Sequence, residues 1–320
     1  MKRLINLAKL LASFLLSVLT GRPYIWGMPP SAGIEITDRC NLHCPKCTSV
    51  SALTPGGKGF MKEELFEKII SELKPYLFNI NLYFRGEPLV HPGFFSFVSM
   101  ARGIGITVST NGHFLSEENT RLLASSGIRK LIISLDGMNQ TAYSAYRKGG
   151  DVNIVLDGIR RLAKAIRESR SCLKPEIQFL VNRHNEHQIG EVSKFASENG
   201  MKVHLKSMQI VNPEGFEMFL PTGEKFRRYV KTERGYRLKS RMRNRCLRLW
   251  MNPVITWDGE VLPCCFDKNA GYGFGNMSHY SFREIWQGER SMEFRQKLLS
   301  GRGNIDICTN CTSGLYGAVI

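Results

Sequence analysis

Six short apolar runs of strand length, Gly33 to Thr37, Ile80 to Phe84, Ile104 to Ser109, Lys130 to Leu135, Glu176 to Val181 and Lys202 to Met208, limit what this 320-residue chain can fold into. Between them lie stretches with apolar residues at helical spacing: Lys62 to Tyr76, Pro92 to Arg102, Ser116 to Ser125, Val152 to Arg170 and Glu186 to Asn199. Several begin near Ser, Asp or Pro, and Gly103, Gly127 and Gly200 act as stops. Alternating strand and helix implies parallel strands joined by right-handed crossovers, hence an α/β sheet or barrel. Six strands suit a partial (β/α)6 TIM-like barrel better than a closed eight-stranded one. An open doubly wound sheet is the alternative. No GxGxxG follows the first strand, so dinucleotide binding loses its main support.

The chain carries nine cysteines, an odd number whose spacing is unlike a secreted disulfide framework. Cys40, Cys44 and Cys47 form CxxxCxxC just after the first strand, and Cys308 and Cys311 form CxxC near the carboxyl terminus. Thiolates this close converge on one soft ion or one cluster, which requires a reducing compartment. A cytoplasmic location is expected, with peripheral contact to the inner face of the membrane. Three cysteines supply three corners of a four-iron cube and leave one iron open to an outside ligand. A structural zinc site closes instead with a fourth Cys or His, and His43, between the ligands, is poorly placed for that.

Lys2 and Arg3 ahead of an apolar stretch give Met1 to Thr20 the look of a signal peptide. Its polar residues suggest otherwise: Lys2, Asn6, Lys9, Ser13, Ser17 and Thr20 recur at spacings that align them along one narrow helical stripe. Lys9 interrupts the apolar span early, so an amphipathic helix lying on a membrane surface is expected. The alternative is a helix packed on the protein's own surface. Gly21 to Ser31, rich in Gly and Pro, reads as a linker, which makes 1–31 an anchor helix and linker ahead of a 32–220 barrel.

The net charge is +16. Eleven basic residues between Pro221 and Trp250 (Lys225, Arg227, Arg228, Lys231, Arg234, Arg237, Lys239, Arg241, Arg243, Arg245 and Arg248) face only Glu224 and Glu233. The stretch from Pro221 to Trp250 therefore carries +9 of the +16, most of it in a bridge at 221–245. The bridge leads into a small cysteine-bearing appendage at 246–320.

CxxxCxxC at the end of the first strand of such a pattern resembles the radical S-adenosylmethionine (SAM) superfamily. Arg85-Gly86-Glu87-Pro88 resembles the family's GGEP segment, whose backbone and glutamate bind the methionyl amino group. Ser109-Thr110-Asn111-Gly112 and Ser134-Leu135-Asp136-Gly137 match segments near the ribose and carboxylate, and Arg147 falls where relatives often place a carboxylate-binding arginine. Two departures are Arg85, in place of the first glycine, and Lys46, where many relatives carry an aromatic. Cys246, twelve residues, Gly259, four residues and Cys264 fit the opening of SPASM and twitch extensions, with Cys308 and Cys311 completing four ligands. One auxiliary 4Fe-4S cluster is implied beside the SAM-binding one, with structural zinc in the same cage as the alternative. In sulfatase-maturing relatives the position of Cys265 carries an acidic proton acceptor, which makes Cys265 a candidate proton acceptor or hydrogen-atom donor and Asp267 a rival base. Cys172 reads as a bland thiol.

The resemblance implies reductive cleavage of SAM to a 5′-deoxyadenosyl radical and hydrogen abstraction from substrate. It also implies a reductant such as flavodoxin or ferredoxin. With an auxiliary cluster as electron acceptor, the leading expectation is an oxidoreductase acting on an anionic small-molecule, sugar or lipid-linked substrate, with an arginine-rich wall from the bridge facing its phosphate or carboxylate. The alternatives are a peptide- or protein-modifying maturase and, from another class, a non-enzymatic zinc or nucleic-acid-binding module. The open three-cysteine motif speaks against the latter, and no nucleic-acid partner is expected.

Overall fold

In the computed structural model, residues 1–47, 58–209, 215–233, 235–239 and 242–311 are described. Arg234 and Arg241 of the basic bridge, and 312–320 of the expected auxiliary domain, lie outside them. The chain runs through α1 (Lys2–Thr20), β1 (Ser31–Ile34), α2 (Glu63–Leu73), β2 (Asn79–Asn81), α3 (Phe94–Met100), β3 (Gly105–Thr110), α4 (Glu117–Ser125) and β4 (Lys130–Ser134). Next come α5 (Gln140–Tyr146), α6 (Val152–Ser169), β5 (Lys174–Val181), α7 (Ile189–Glu198) and β6 (Lys202–Ser207). Strands β1 to β6 lie side by side in chain order, every neighbouring pair parallel. This is the expected partial barrel. Helix α6 shows why the segments fold as read: Asp151 caps it by accepting from the Asn153 N–H, and Val152, Val155, Ile159 and Leu162 form its buried face.

The sequence reading missed the seven-residue α5, which Asn139 starts by accepting from the Ala142 N–H. The basic bridge is no helix. It contains the antiparallel hairpin β7 (Tyr229–Thr232) and β8 (Gly235–Leu238). Beyond it lie α8 (Arg248–Met251), β9 (Val254–Ile255), β10 (Val261–Leu262), α9 (Phe282–Gln287), α10 (Glu289–Gly301) and α11 (Asp306–Thr309). The two-residue strands β9 and β10 extend the barrel sheet, since β9 pairs parallel with β1 through Gly33 opposite Val254. The carboxyl-terminal part is thus joined to the barrel by main-chain hydrogen bonds, as strands too short to alternate could not reveal.

Helix α1 turns its polar stripe inward. Asn6, Ser13 and Ser17 are buried with Leu10. The Asn6 amide donates to the Met28 carbonyl and accepts from the Met28 N–H, both at 2.8 Å, and the Ser17 hydroxyl accepts from the Tyr24 N–H at 2.8 Å. Segment 21–31 is therefore a packed strap and not a free linker: Ile25, Gly27 and Met28 are buried. Its carbonyls at Tyr24 and Gly27 accept the indole N–H groups of Trp250 and Trp286, donors that need a partner once buried. Arg3 donates to the carbonyls of Lys74 and Gly103, and Phe14 packs edge-on against Trp250 at 5.2 Å. Gly103 precedes β3 and α8 leads into β9, so α1 lies across the amino-terminal rim of the sheet.

At the other rim, the arginine that replaces the family's first glycine has a structural task. Arg85 grips the Glu35 carboxylate just after β1, Nε to Oε2 at 2.8 Å and Nη2 to Oε1 at 2.9 Å, while its own N–H donates to Oε2 at 3.2 Å. Both side chains are buried. Burial pushes the Glu35 carboxyl up and the guanidinium pulls it back; the two-pronged geometry is that of an ion pair. Glu35→Ala strands a buried guanidinium and is expected to cost about 3 to 5 kcal/mol, read from the urea unfolding midpoint, with part recovered in Glu35→Ala/Arg85→Met.

Candidate active site

The loop after β1 carries Cys40, Cys44 and Cys47 at the carboxyl end of the sheet, and neighbouring segments fix its backbone. The Glu87 N–H donates to the Arg39 carbonyl at 2.8 Å and the His43 N–H to the Lys148 carbonyl at 2.9 Å. The Asn111 amide donates to the Asn41 side chain at 2.7 Å and lies 3.7 Å from Cys40 Sγ. Gly86 has φ +69°, and a Cβ there would stand 2.4 Å from the Thr37 carbonyl oxygen. Glycine alone lets the two loops press together in this way.

The triad sits against a small apolar core of its own, including Leu42, Tyr146, Met208, Phe216 and Phe219. Burial pushes the Cys44 thiol up to about 11 and raises Cys40 as well, while the Arg147 guanidinium pulls Cys44 down. Thiolates in such surroundings call for a bound cation, and this donor set fits an iron-sulfur cluster. Among the described residues no three His, Cys, Asp or Glu side chains close up tightly enough for a single metal ion. A cubane is ligated from a wider circle.

The other expected SAM-contacting residues divide into two groups. Ser109 and Arg147 line a cavity of about 420 Å³ together with Cys44 and Cys47. Glu87, Asn111 and Asp136 stand behind that wall. The Glu87 carboxylate accepts from the Asn111 N–H at 2.6 Å and the Thr110 hydroxyl at 2.8 Å; burial pushes it up to about 7 against these donors. Asp136 holds Arg147 by a 2.6 Å ion pair and accepts from the Leu180 N–H at 2.7 Å. Ser134 is buried at the end of β4 and does not line the cavity.

Sequence reasoning missed much of the cavity wall: Tyr83, Tyr146, Gln178, Lys206 and Lys268. A lysine at the carboxyl end of β6 was a readable signal, because parallel barrels place function there. From the basic bridge only Arg228, among the described residues, reaches the wall, so the expected arginine-rich wall reduces to one arginine and lysines from elsewhere. A second cavity of about 460 Å³, lined by Phe60, Leu65 and Trp257, contains none of the expected site residues.

Cys246, Cys264, Cys308 and Cys311, from three separate segments, come together: burial raises Cys264 and pushes Cys308 up to about 11, and the neighbouring Cys246 and Cys311 raise both further. Arg302 donates to Cys311 Sγ at 3.7 Å and Arg248 to Cys265 Sγ at 3.5 Å. Two guanidiniums thus face the thiols, a compensation suited to an anionic four-thiolate cluster. Cys265 lies between Arg248 and Tyr83, near enough to raise the Tyr83 pKa. Asp267 points elsewhere: its oxygens accept from the Gly271 and Tyr272 N–H groups at 2.8 and 2.9 Å, and it lines a different cavity. It is a loop acceptor whose cavity shares Gln209 and Lys268 with the one at the barrel mouth. Cys172 is exposed, between α6 and β5.

Anaerobic reconstitution is expected to load about eight irons per chain, four for each cluster. Cys44→Ala and Cys264→Ala should each retain about half the iron, and only the first should abolish dithionite-dependent formation of 5′-deoxyadenosine.

Comparison with known proteins agrees with this geometry. Residues 34–196 match the radical SAM superfamily and residues 246–312 the SPASM iron-sulfur cluster-binding domain. A Pyrococcus furiosus protein named tungsten-containing aldehyde ferredoxin oxidoreductase cofactor-modifying protein is 28% identical, over 87% of this chain and 86% of its own length. The mycofactocin maturase MftC of Mycobacterium ulcerans is 29% identical, with 55% of this chain aligned to 46% of that protein. Among solved structures, BtrN in complex with AdoMet and 2-DOIA gives a TM-score of 0.55 at 21% identity, covering 90% of this chain and 94% of BtrN. Streptococcus suis SuiB bound to S-adenosylmethionine gives 0.65 at 15% identity, covering 90% and 73%. These two likenesses speak for the fold. With its cysteine triad at the barrel mouth and its family match spanning half its length, the chain belongs to the radical SAM superfamily and is an enzyme of SAM and 4Fe-4S clusters.

Proposed function

We propose that this enzyme oxidises an anionic substrate at the barrel mouth by abstracting a hydrogen atom. The observation that carries the reading is the charge of the cavity. Lys46, Arg147, Lys206, Arg228 and Lys268 line it and, among the described residues, no Asp or Glu does. Arg147 is neutralised by Asp136, and one further cation suffices for the carboxylate of SAM. The surplus suits a phosphate or carboxylate on the substrate. The bound groups supply a 5′-deoxyadenosyl radical, from one-electron reduction of SAM at the first cluster, and an electron sink at the second. The chain's own residues orient and exclude water: Tyr146 and Leu180 form apolar wall, Gln178 offers an amide for hydrogen bonding, and Lys268 stacks over Phe84 at 4.2 Å. Cys265, beside Tyr83, is the candidate proton acceptor for the oxidised carbon. Replacing it with Ser or Ala should slow substrate turnover without changing SAM cleavage in the absence of substrate.

A second reading is modification of a peptide or of a protein's cofactor. Its support is the full-length similarity to the Pyrococcus cofactor-modifying protein, together with the maturase among the relatives. Both readings are tested by fractionating cell extract and measuring which fraction raises 5′-deoxyadenosine formation above the substrate-free rate. The active fraction is expected to bind an anion exchanger, to survive protease, and to lose at least tenfold of its effect with Lys206→Glu/Lys268→Glu. Protease sensitivity moves the assignment to a peptide, and a stimulating fraction that ignores both the exchanger and the double substitution overturns the anionic reading.

A further inference from the structure

The amino-terminal helix is amphipathic in the opposite sense to an ordinary surface helix. Its polar stripe is held by the protein, Asn6 to Met28 and Ser17 to Tyr24, while Leu4, Ile5, Leu11, Leu15 and Leu19 are 41 to 74% exposed. At 100° per residue these five side chains share the face opposite Asn6, Leu10, Ser13 and Ser17, with Ala8 and Ala12 between them. The result is an apolar strip about 22 Å long from Leu4 to Leu19, taking 1.5 Å of rise per residue. Such a contiguous patch marks an interaction surface.

We infer that this strip docks the enzyme on an anionic lipid bilayer, the helix lying in the plane of the interface. Charge selects that occupant. The first 34 residues contain Lys2, Arg3, Lys9 and Arg22 and no Asp or Glu, so every charged side chain that α1 and the strap contribute is a cation. A second copy of the chain would bring the same cations against each other. Trp26, on the strap alongside α1, is 51% exposed, the placement that interfacial indoles adopt. The helix does not cross the bilayer. Asn6 and Ser17 tie its inner face to the strap that Trp250 and Trp286 hold, and pulling it upright would break the bonds to Met28 and Tyr24.

The test is flotation of the full-length protein with vesicles. Wild type is expected to float with phosphatidylcholine vesicles containing phosphatidylglycerol, less with phosphatidylcholine alone, and less again at high salt. Leu11→Glu/Leu15→Glu alters only the exposed strip and should reduce vesicle binding at least tenfold while leaving the thermal unfolding midpoint and iron content unchanged. Lys9→Glu/Arg22→Glu should remove the preference for phosphatidylglycerol. Wild type that stays in the aqueous fraction, or the leucine double variant floating as well as wild type, overturns the proposal. So does a wild-type dimer in sedimentation that the leucine substitutions convert to monomer without any vesicle binding.

Discussion

The buried pair of Glu35 and Arg85 ties together everything that meets at the barrel mouth. Glu35 follows β1, whose next turn carries the cysteine triad, and Arg85 opens the loop after β2 that ends on Glu87. The same guanidinium donates to the Lys268 carbonyl at 3.4 Å, in the loop that follows Cys264 and Cys265. One planar cation with several donors therefore fixes three loops from two sequence domains, which lysine could not do. Gly86 then permits the close passage that sets the Glu87 N–H on Arg39.

Around that latch the charges are arranged in layers. Carboxylates stand behind the wall, Asp136 on Arg147 and Glu87 on the turn at Thr110 and Asn111. Cations and neutral hydrogen-bonding groups face the cavity. Buried acids that spend their oxygens on backbone donors hold geometry without adding negative charge where an anion must bind. The second group of cysteines follows the same economy, with Arg248 and Arg302 placed against the thiols.

Much of this was legible in the residues. Helical and strand periodicity located the six parallel strands, because each is long enough or bounded clearly enough by turns. Cysteine spacing singled out the triad, and the resemblance to SPASM and twitch extensions singled out the four cysteines that the fold brings together. What the sequence hid was short or non-local. β9 and β10 are two residues each, α5 is seven, and the strap at 21–31 looked like a linker because the acceptors that Trp250 and Trp286 require belong to its main chain. Arg85 read as a departure from the family segment, since its partner lies fifty residues earlier. Asp267 read as a base by proximity in sequence, but local N–H groups at Gly271 and Tyr272 claim it. Composition located the basic bridge, whereas only folding could show that Arg228 alone of its described residues enters the cavity.

The position of α1 across the amino-terminal rim bears on how substrate arrives. Parallel strands have two ends, and the cysteines occupy the one remote from this helix. Strands of three to eight residues, at about 3.3 Å each, keep the reacting centre on the order of 10 to 25 Å from the rim. If α1 rests on lipid as inferred above, the mouth opens toward the aqueous phase. A substrate whose reactive carbon lies within the acyl layer is out of reach, and a lipid-linked one must extend its polar head around the enzyme. A diffusing solute or a carrier protein approaches unobstructed, so the membrane would serve to locate the enzyme near its supply without itself presenting the bond to be broken.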